Sequence, residues 1–218
     1  MGRMLTTLLA ERLAHFEGRY ELHLSVGAAP DQIPSFVALC ADEGAKAVVI
    51  ELAQGQSAYQ PMLCKYVKGS DIALSEVRRL SALLREHYAL LRVKIEAALD
   101  NHGIPSSDRE AQGLPEDCYF EHHVKVFLPQ SFDLDTLRLQ VRECQGHLSH
   151  NALKRGDDGR QVRFITQRYA RVSDANAKAG LDRLLRLLAE LGLPLCDMIR
   201  EYNIYDSEIG LDAGWMER

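Results

Sequence analysis

Tyr20-Glu21-Leu22-His23-Leu24-Ser25-Val26 and Phe120-Glu121-His122-His123-Val124-Lys125-Val126 are two versions of one segment, 100 residues apart. Glu, His and Val recur at matching positions, and aromatic or aliphatic residues correspond between them. In both versions apolar and polar side chains alternate, which is the period of a half-buried strand. The sequence therefore predicts that the same strand opens two successive repeats.

A second pair of segments matches in the same order. Lys65-Tyr66-Val67-Lys68-Gly69-Ser70-Asp71 corresponds to Arg168-Tyr169-Ala170-Arg171-Val172-Ser173-Asp174, at an offset of 103 residues. Such self-similarity is typical of an internal duplication. The small change of offset is what different loop lengths produce.

The residue pattern of each repeat predicts two helices and four strands. Apolar residues at helical spacing follow the first strand, and Asp31, Ser70-Asp71 and Ser173-Asp174 are expected helix N-caps. Gly156-Asp157-Asp158-Gly159 predicts a hairpin turn. Residues 93–97 fit a helix or a strand, and the duplication favours a strand.

The resulting order, βαββαβ, is that of a ferredoxin-like lobe, an antiparallel sheet with helices on one face. We therefore predict an α+β fold made by tandem duplication of this lobe. A segment rich in Gly, Pro and polar residues separates the repeats. The expected organisation is an N-terminal helix (1–18), a first lobe (19–99), a linker (100–118), a second lobe (119–206) and a C-terminal tail (207–218).

Composition narrows the class of protein. The net charge of −5 and the scattered basic residues argue against a nucleic-acid binder, which normally carries a basic face. No run approaches the ~20 apolar residues that span a bilayer, so no membrane partner is expected. The five cysteines are odd in number and far apart, which favours free thiols and the cytoplasm.

The candidate site is the polar face of each sheet, opposite the helices. An imidazole beside a carboxylate suits general acid–base work, so Glu121 and His123 are the candidate catalytic residues. Neighbouring strands would add cations for an anionic substrate group. Tyr169 would replace Arg168 on this face if the strand register differed. The candidate substrate-binding residues are Arg168, Tyr169, Glu201, Lys125, His23, Glu21, Lys94 and Glu96.

Neither a metal nor a cofactor is expected. His147 and His150 have a spacing that places them on opposite faces of a strand, which is poor geometry for shared ligation. Whether they join His123 in a metal site stays open at this point. The glycines form neither a GxGxxG motif nor a Walker loop.

Two functions follow from these patterns. In the first, the protein binds or acts on a small, anionic ligand in a cleft between the two lobes. In the second, it is a non-catalytic protein whose sheets mediate lobe packing or homo-oligomerisation. The sequence does not decide whether it is an enzyme.

Overall fold

The computed structural model describes residues 3–52, 59–153, 160–193 and 195–213. Helices and antiparallel strands alternate along the chain in a mixed α+β arrangement. Short 3-10 turns lie at Pro30–Gln32 and Ile209–Asp212. The elements are α1 (Arg3–His15), β1 (Arg19–Gly27), α2 (Ile33–Asp42), β2 (Lys46–Leu52), β3 (Tyr59–Lys68), α3 (Ser70–His87), β4 (Ala89–Ala98), α4 (Asp108–Gly113), β5 (Tyr119–Leu128), α5 (Leu134–Glu143), β6 (His147–Asn151), β7 (Gln161–Ala170), α6 (Asp174–Glu190) and β8 (Leu195–Asp206).

The chain divides into two compact units. Unit 1 contains Met1–Val49, Gln60–Ile104 and Tyr202–Leu211, and unit 2 contains Ile50–Tyr59, Pro105–Glu201 and Asp212–Arg218. Strands β2 and β8 therefore contribute residues to both units. The compact units do not follow the sequence repeats residue for residue.

Unit 1 has the strand order β4-β1-β3-β2, which is the ferredoxin-like order. Strand β1 pairs antiparallel with β3 on one side and with β4 on the other. The apolar side chains of β1 at positions 20, 22, 24 and 26 are buried, and α3 packs against this strand. The alternate positions, 21, 23 and 25, are therefore left for polar residues.

Unit 2 repeats this order as β8-β5-β7-β6. Strand β5 pairs with β7 along its full length, and β7 pairs with β6. One hydrophobic core joins the strands to α5 and α6, so the helices cover the apolar face of this sheet. Its buried members are Val124, Val126, Leu128, Leu137, Val141, Leu148, Ile165, Leu181, Leu184, Leu188 and Leu193.

Two local predictions are confirmed. Residues 93–97 lie in β4, so the ambiguous segment is a strand. Ser173 caps α6 by accepting a hydrogen bond from the Asn176 amide. The segment predicted as a linker contains α4, whose first turn is capped by Ser107. The hairpin predicted at 156–159 lies outside the described residues.

Two predicted N-caps are wrong. Helix α3 begins at Ser70 with Gly69 at its N-cap, and no side chain of that residue can cap it. The Glu17 carboxylate instead accepts a hydrogen bond from the Ser70 amide at 3.2 Å. Asp31 lies in a 3-10 turn, and Gln32 precedes α2. A residue distant in sequence can satisfy a free helical amide, which local patterns do not reveal.

Candidate functional site

Strand register in unit 1 gathers polar side chains on one face of the sheet. His23 of β1 lies opposite Lys94 of β4 and Cys64 of β3, and Glu21 lies opposite Glu96. Each of these residues is at most 9% exposed. We call these five residues the unit 1 cluster.

Both ring nitrogens of His23 have partners. Its Nε2 lies 2.6 Å from Glu96 Oε2 and 3.8 Å from Glu21 Oε2. Its Nδ1 lies 3.3 Å from the Cys64 Sγ. Burial by itself lowers the pKa of His23, but the charges of Cys64 and Glu96 outweigh it and raise that pKa well above its usual range.

A second buried ion pair lies further along the sheet of unit 1. Arg92 forms a two-point salt bridge with Asp206, and its Nε donates to Oδ1 at 2.8 Å. Burial by itself raises the pKa of Asp206, but the hydrogen bonds from Arg92 hold that pKa below its ordinary value. The pair joins β4 to the end of β8.

Unit 2 carries a related but different group. Glu121 lies opposite Arg168, and the guanidinium donates to Glu121 Oε1 at 2.8 Å and to Asp212 Oδ2 at 2.9 Å. The same guanidinium stacks on the Tyr119 ring, 4.3 Å from its centroid. With His123 we call these five residues the unit 2 cluster. Two carboxylates here share one cation.

His123 is the accessible member of the unit 2 cluster. Its Nδ1 lies 3.0 Å from Thr166 Oγ1, and its Nε2 lies 3.5 Å from Glu121 Oε2. The His123 side chain is 28% exposed, whereas that of Glu121 is 3% exposed. The ring is therefore oriented by buried groups while part of it reaches solvent.

The neighbouring His122 has a different environment. It is fully buried, and its ring packs against Tyr169 with the centroids 5.6 Å apart. Burial, and next the positive charge of Arg200, lower the pKa of His122 to about 4. Adjacent residues of a strand point to opposite faces, so His122 belongs to the helix-covered side.

The structure separates the remaining predicted residues. Arg168 rather than Tyr169 shares the face of Glu121, since Tyr169 pairs with Phe120. The Tyr169 hydroxyl accepts a hydrogen bond from Gln167 on the other face. Lys125 lies on the face of His123, with its Nζ 5.2 Å from the Phe127 ring centroid. Glu201 is buried in β8.

His147 and His150 lie apart from each other. His147 begins β6 opposite Thr166, in the same cross-strand row as His123. His150 contacts Glu51 of β2, with 2.7 Å between Nε2 and Oε2. Within the described residues neither joins a group of three potential metal ligands.

Sequence patterns missed four residues of these environments: Cys64, Thr166, Tyr119 and Asp212. Cys64 and Thr166 occupy equivalent places, each opposite a histidine of the first strand of its unit. Their positions depend on the exact register, which alternation alone does not give. Asp212 comes from the tail, and its acidic side chain was the only signal for it.

Comparisons with known proteins give no family for this chain. No family model matches it, and no curated protein matches it significantly. Among the described residues, no helix has the length and apolar character needed to cross a membrane.

Several solved structures are similar to the chain at low identity. The small subunit of acetolactate synthase from Thermotoga maritima is 15% identical over 86% of this chain and 95% of its own, with a TM-score of 0.32. The regulatory subunit of aspartate kinase from Thermus thermophilus is 13% identical over 79% and 93%, with a TM-score of 0.31. Chlorite dismutase from Candidatus Nitrospira defluvii is 15% identical over 88% and 94%, with a TM-score of 0.27. Likeness of this degree carries no argument about function.

Proposed function

We propose that the protein binds a small polar ligand at the unit 2 cluster, with His123 as the group that exchanges a proton with it. One observation carries the proposal. The His123 imidazole is partly exposed while the carboxylate and hydroxyl that orient it are buried. An oriented imidazole that a ligand can reach is the arrangement that general acid–base chemistry requires.

The buried ion pairs support this role by fixing the surroundings of the ring. Arg168 holds Glu121 from one side, and Asp212 holds Arg168 from another. A charge pair withdrawn from water is more rigid and less screened than an exposed one. Glu121 is thereby kept 3.5 Å from His123 Nε2.

The charge of the ligand follows from which cation is available. Arg168 is engaged by two carboxylates, so an anionic group would have to displace one of them. Lys125 is a cation on the same face as His123, and an anionic ligand could meet it without such a displacement. We therefore assign the contact with an anionic group to Lys125 and to the His123 ring on the same face. A location between the two lobes stays a prediction from the sequence.

Ligand-observed NMR tests this proposal with a defined set of small molecules: inorganic phosphate, acetate, succinate and ethanolamine. We expect at least one anion to bind the wild type and to bind His123→Ala at least ~10-fold more weakly, which corresponds to about 1.4 kcal/mol. His87→Ala is the matched control, because His87 is exposed at the end of α3. Equal affinity in the wild type and His123→Ala would contradict the proposal.

We also propose that the two units arose by duplication. Both have the same strand order, and Glu and His stand at the third and fifth positions of β1 and of β5.

A reducing, cytoplasmic location is consistent with the free cysteines. Homo-oligomerisation is tested by sedimentation equilibrium of the full chain, where a single monomeric species would exclude it.

A further inference from the structure

We propose that Glu21, His23 and Cys64 of unit 1 form a transition-metal site, and that Zn²⁺ is the metal that best matches its donors. One potential ligand atom from each residue lies within 4.8 Å of the other two. All three residues are buried. The group comes from two paired strands, β1 and β3, so its positions are fixed by the backbone ladder.

The donor types, and the separation of the sulfur and nitrogen donors, suit zinc. A thiolate, an imidazole and a carboxylate are the ligands that Zn²⁺ takes in proteins, and three of them leave a fourth position open. Zinc–sulfur and zinc–nitrogen bonds of about 2.3 and 2.0 Å place the two donors of a tetrahedral site about 3.5 Å apart. The observed separation of Cys64 Sγ and His23 Nδ1 is 3.3 Å.

The second nitrogen of His23 has the partner that a metal-binding histidine usually has. Its Nε2 lies 2.6 Å from Glu96, and Lys94 Nζ lies 2.7 Å from the other oxygen of that carboxylate. A carboxylate on the distal nitrogen fixes the tautomer and orients the ring toward the metal. We therefore assign Nδ1 to the metal and Glu96 to positioning.

An independent feature is the placement of two carboxylates. Glu21 and Glu96 are direct cross-strand neighbours, and they are 9% and 0% exposed. Like charges directly opposite each other destabilise a sheet. A divalent cation bound by Glu21 would offset this repulsion.

Unit 2 provides an internal comparison. The residue opposite its histidine is Thr166 in place of Cys64, and the residue opposite Glu121 is Arg168. A neutral hydroxyl is not among the usual zinc ligands, and a guanidinium repels a metal cation. The inference thus applies to unit 1 alone and does not depend on the function proposed for unit 2.

The test uses the full-length protein, stripped of metal with a chelator and titrated with Zn²⁺ or Co²⁺. We expect one equivalent of Zn²⁺ to bind, and Co²⁺ to give the near-ultraviolet charge-transfer band of a cobalt–thiolate bond. Cys64→Ser should abolish that band, while Cys196→Ser, a half-buried cysteine of unit 2, should keep it. Absence of binding to the wild type, or a band that persists in Cys64→Ser, would overturn the proposal.

A second variant separates a metal ligand from a positioning residue. Glu96→Gln should keep the cobalt–thiolate band and weaken zinc binding by about 10- to 100-fold, as expected for a group that supports a ligand. Unchanged zinc affinity in Glu96→Gln would refute the role given to Glu96. The cobalt–thiolate band reports on Cys64, which is not a member of the unit 2 cluster, so failure of either proposal can be recognised separately.

Discussion

His122 allows a test of whether the two adjacent histidines, His122 and His123, have the different environments that the structure gives them. Its folded-state pKa is about 4, against an ordinary value near 6.5, because burial and Arg200 disfavour the protonated ring. Between these values the unfolded chain binds a proton at His122 that the folded chain does not bind. The contribution to stability is therefore fully present above pH 6.5 and is lost as the pH falls toward 4. The loss amounts to about 2 kcal/mol at pH 5 and approaches about 3 kcal/mol below pH 4.

The measurement is the free energy of unfolding in urea at pH 7.5 and pH 5.0, for the wild type and for His122→Gln. We expect the wild type to lose about 2 kcal/mol more than the variant over this interval. His122→Asn should give the same difference, because both substitutions remove the titrating ring. If the two proteins lose stability in parallel, within about 0.5 kcal/mol, the assignment of His122 as a buried neutral histidine is wrong.

Three further predictions concern stability and thiol state. Gly180→Ala should lower the free energy of unfolding by about 1–3 kcal/mol, because a Cβ there would lie 2.1 Å from the Tyr169 hydroxyl. Adding Tyr169→Phe to this variant should recover part of the loss in urea titrations. No recovery would exclude this clash as the cause. Arg92→Met should cost about 3–5 kcal/mol by removing the guanidinium that pairs with the buried Asp206 carboxylate, and a cost below about 1 kcal/mol in the same assay would show that the pair is dispensable. Thiol titration of the denatured chain, with a chelator and without reductant, should find five free groups, and three or fewer would show disulfide bonding.

Much of the fold could be predicted from the sequence because it depends on short-range periodicity. Alternation along β1 and β5 identified the strands and the polar face that carries Glu21 and Glu121. Helical spacing and the repeat offset identified most other elements, including β4, which local spacing alone left ambiguous, but not α4, which lies in the segment predicted as a linker. Apart from the repeat offset, each of these signals is contained within a few turns or one strand.

The composition of the two clusters could be predicted only in part. Alternation states which residues share a face, but the register decides that Cys64 lies opposite His23 and that Arg168 lies opposite Glu121. A shift of one residue would have exchanged Arg168 for Tyr169. Asp212 reaches Arg168 from 44 positions further along the chain, and no local pattern encodes such a contact.

The last strand has a consequence for how the protein is synthesised. Unit 1 includes Tyr202–Leu211, and Arg92 pairs with Asp206 across 114 positions of sequence. A ribosome must therefore translate as far as residue 211 before unit 1 can acquire all of its parts. Contacts of such long sequence separation slow folding, because the intervening chain has to be closed into a loop first. In nascent chains that end before residue 202, unit 1 should accordingly be incomplete. It should finish folding only after residues 202–211 have been synthesised, rather than before unit 2 is made.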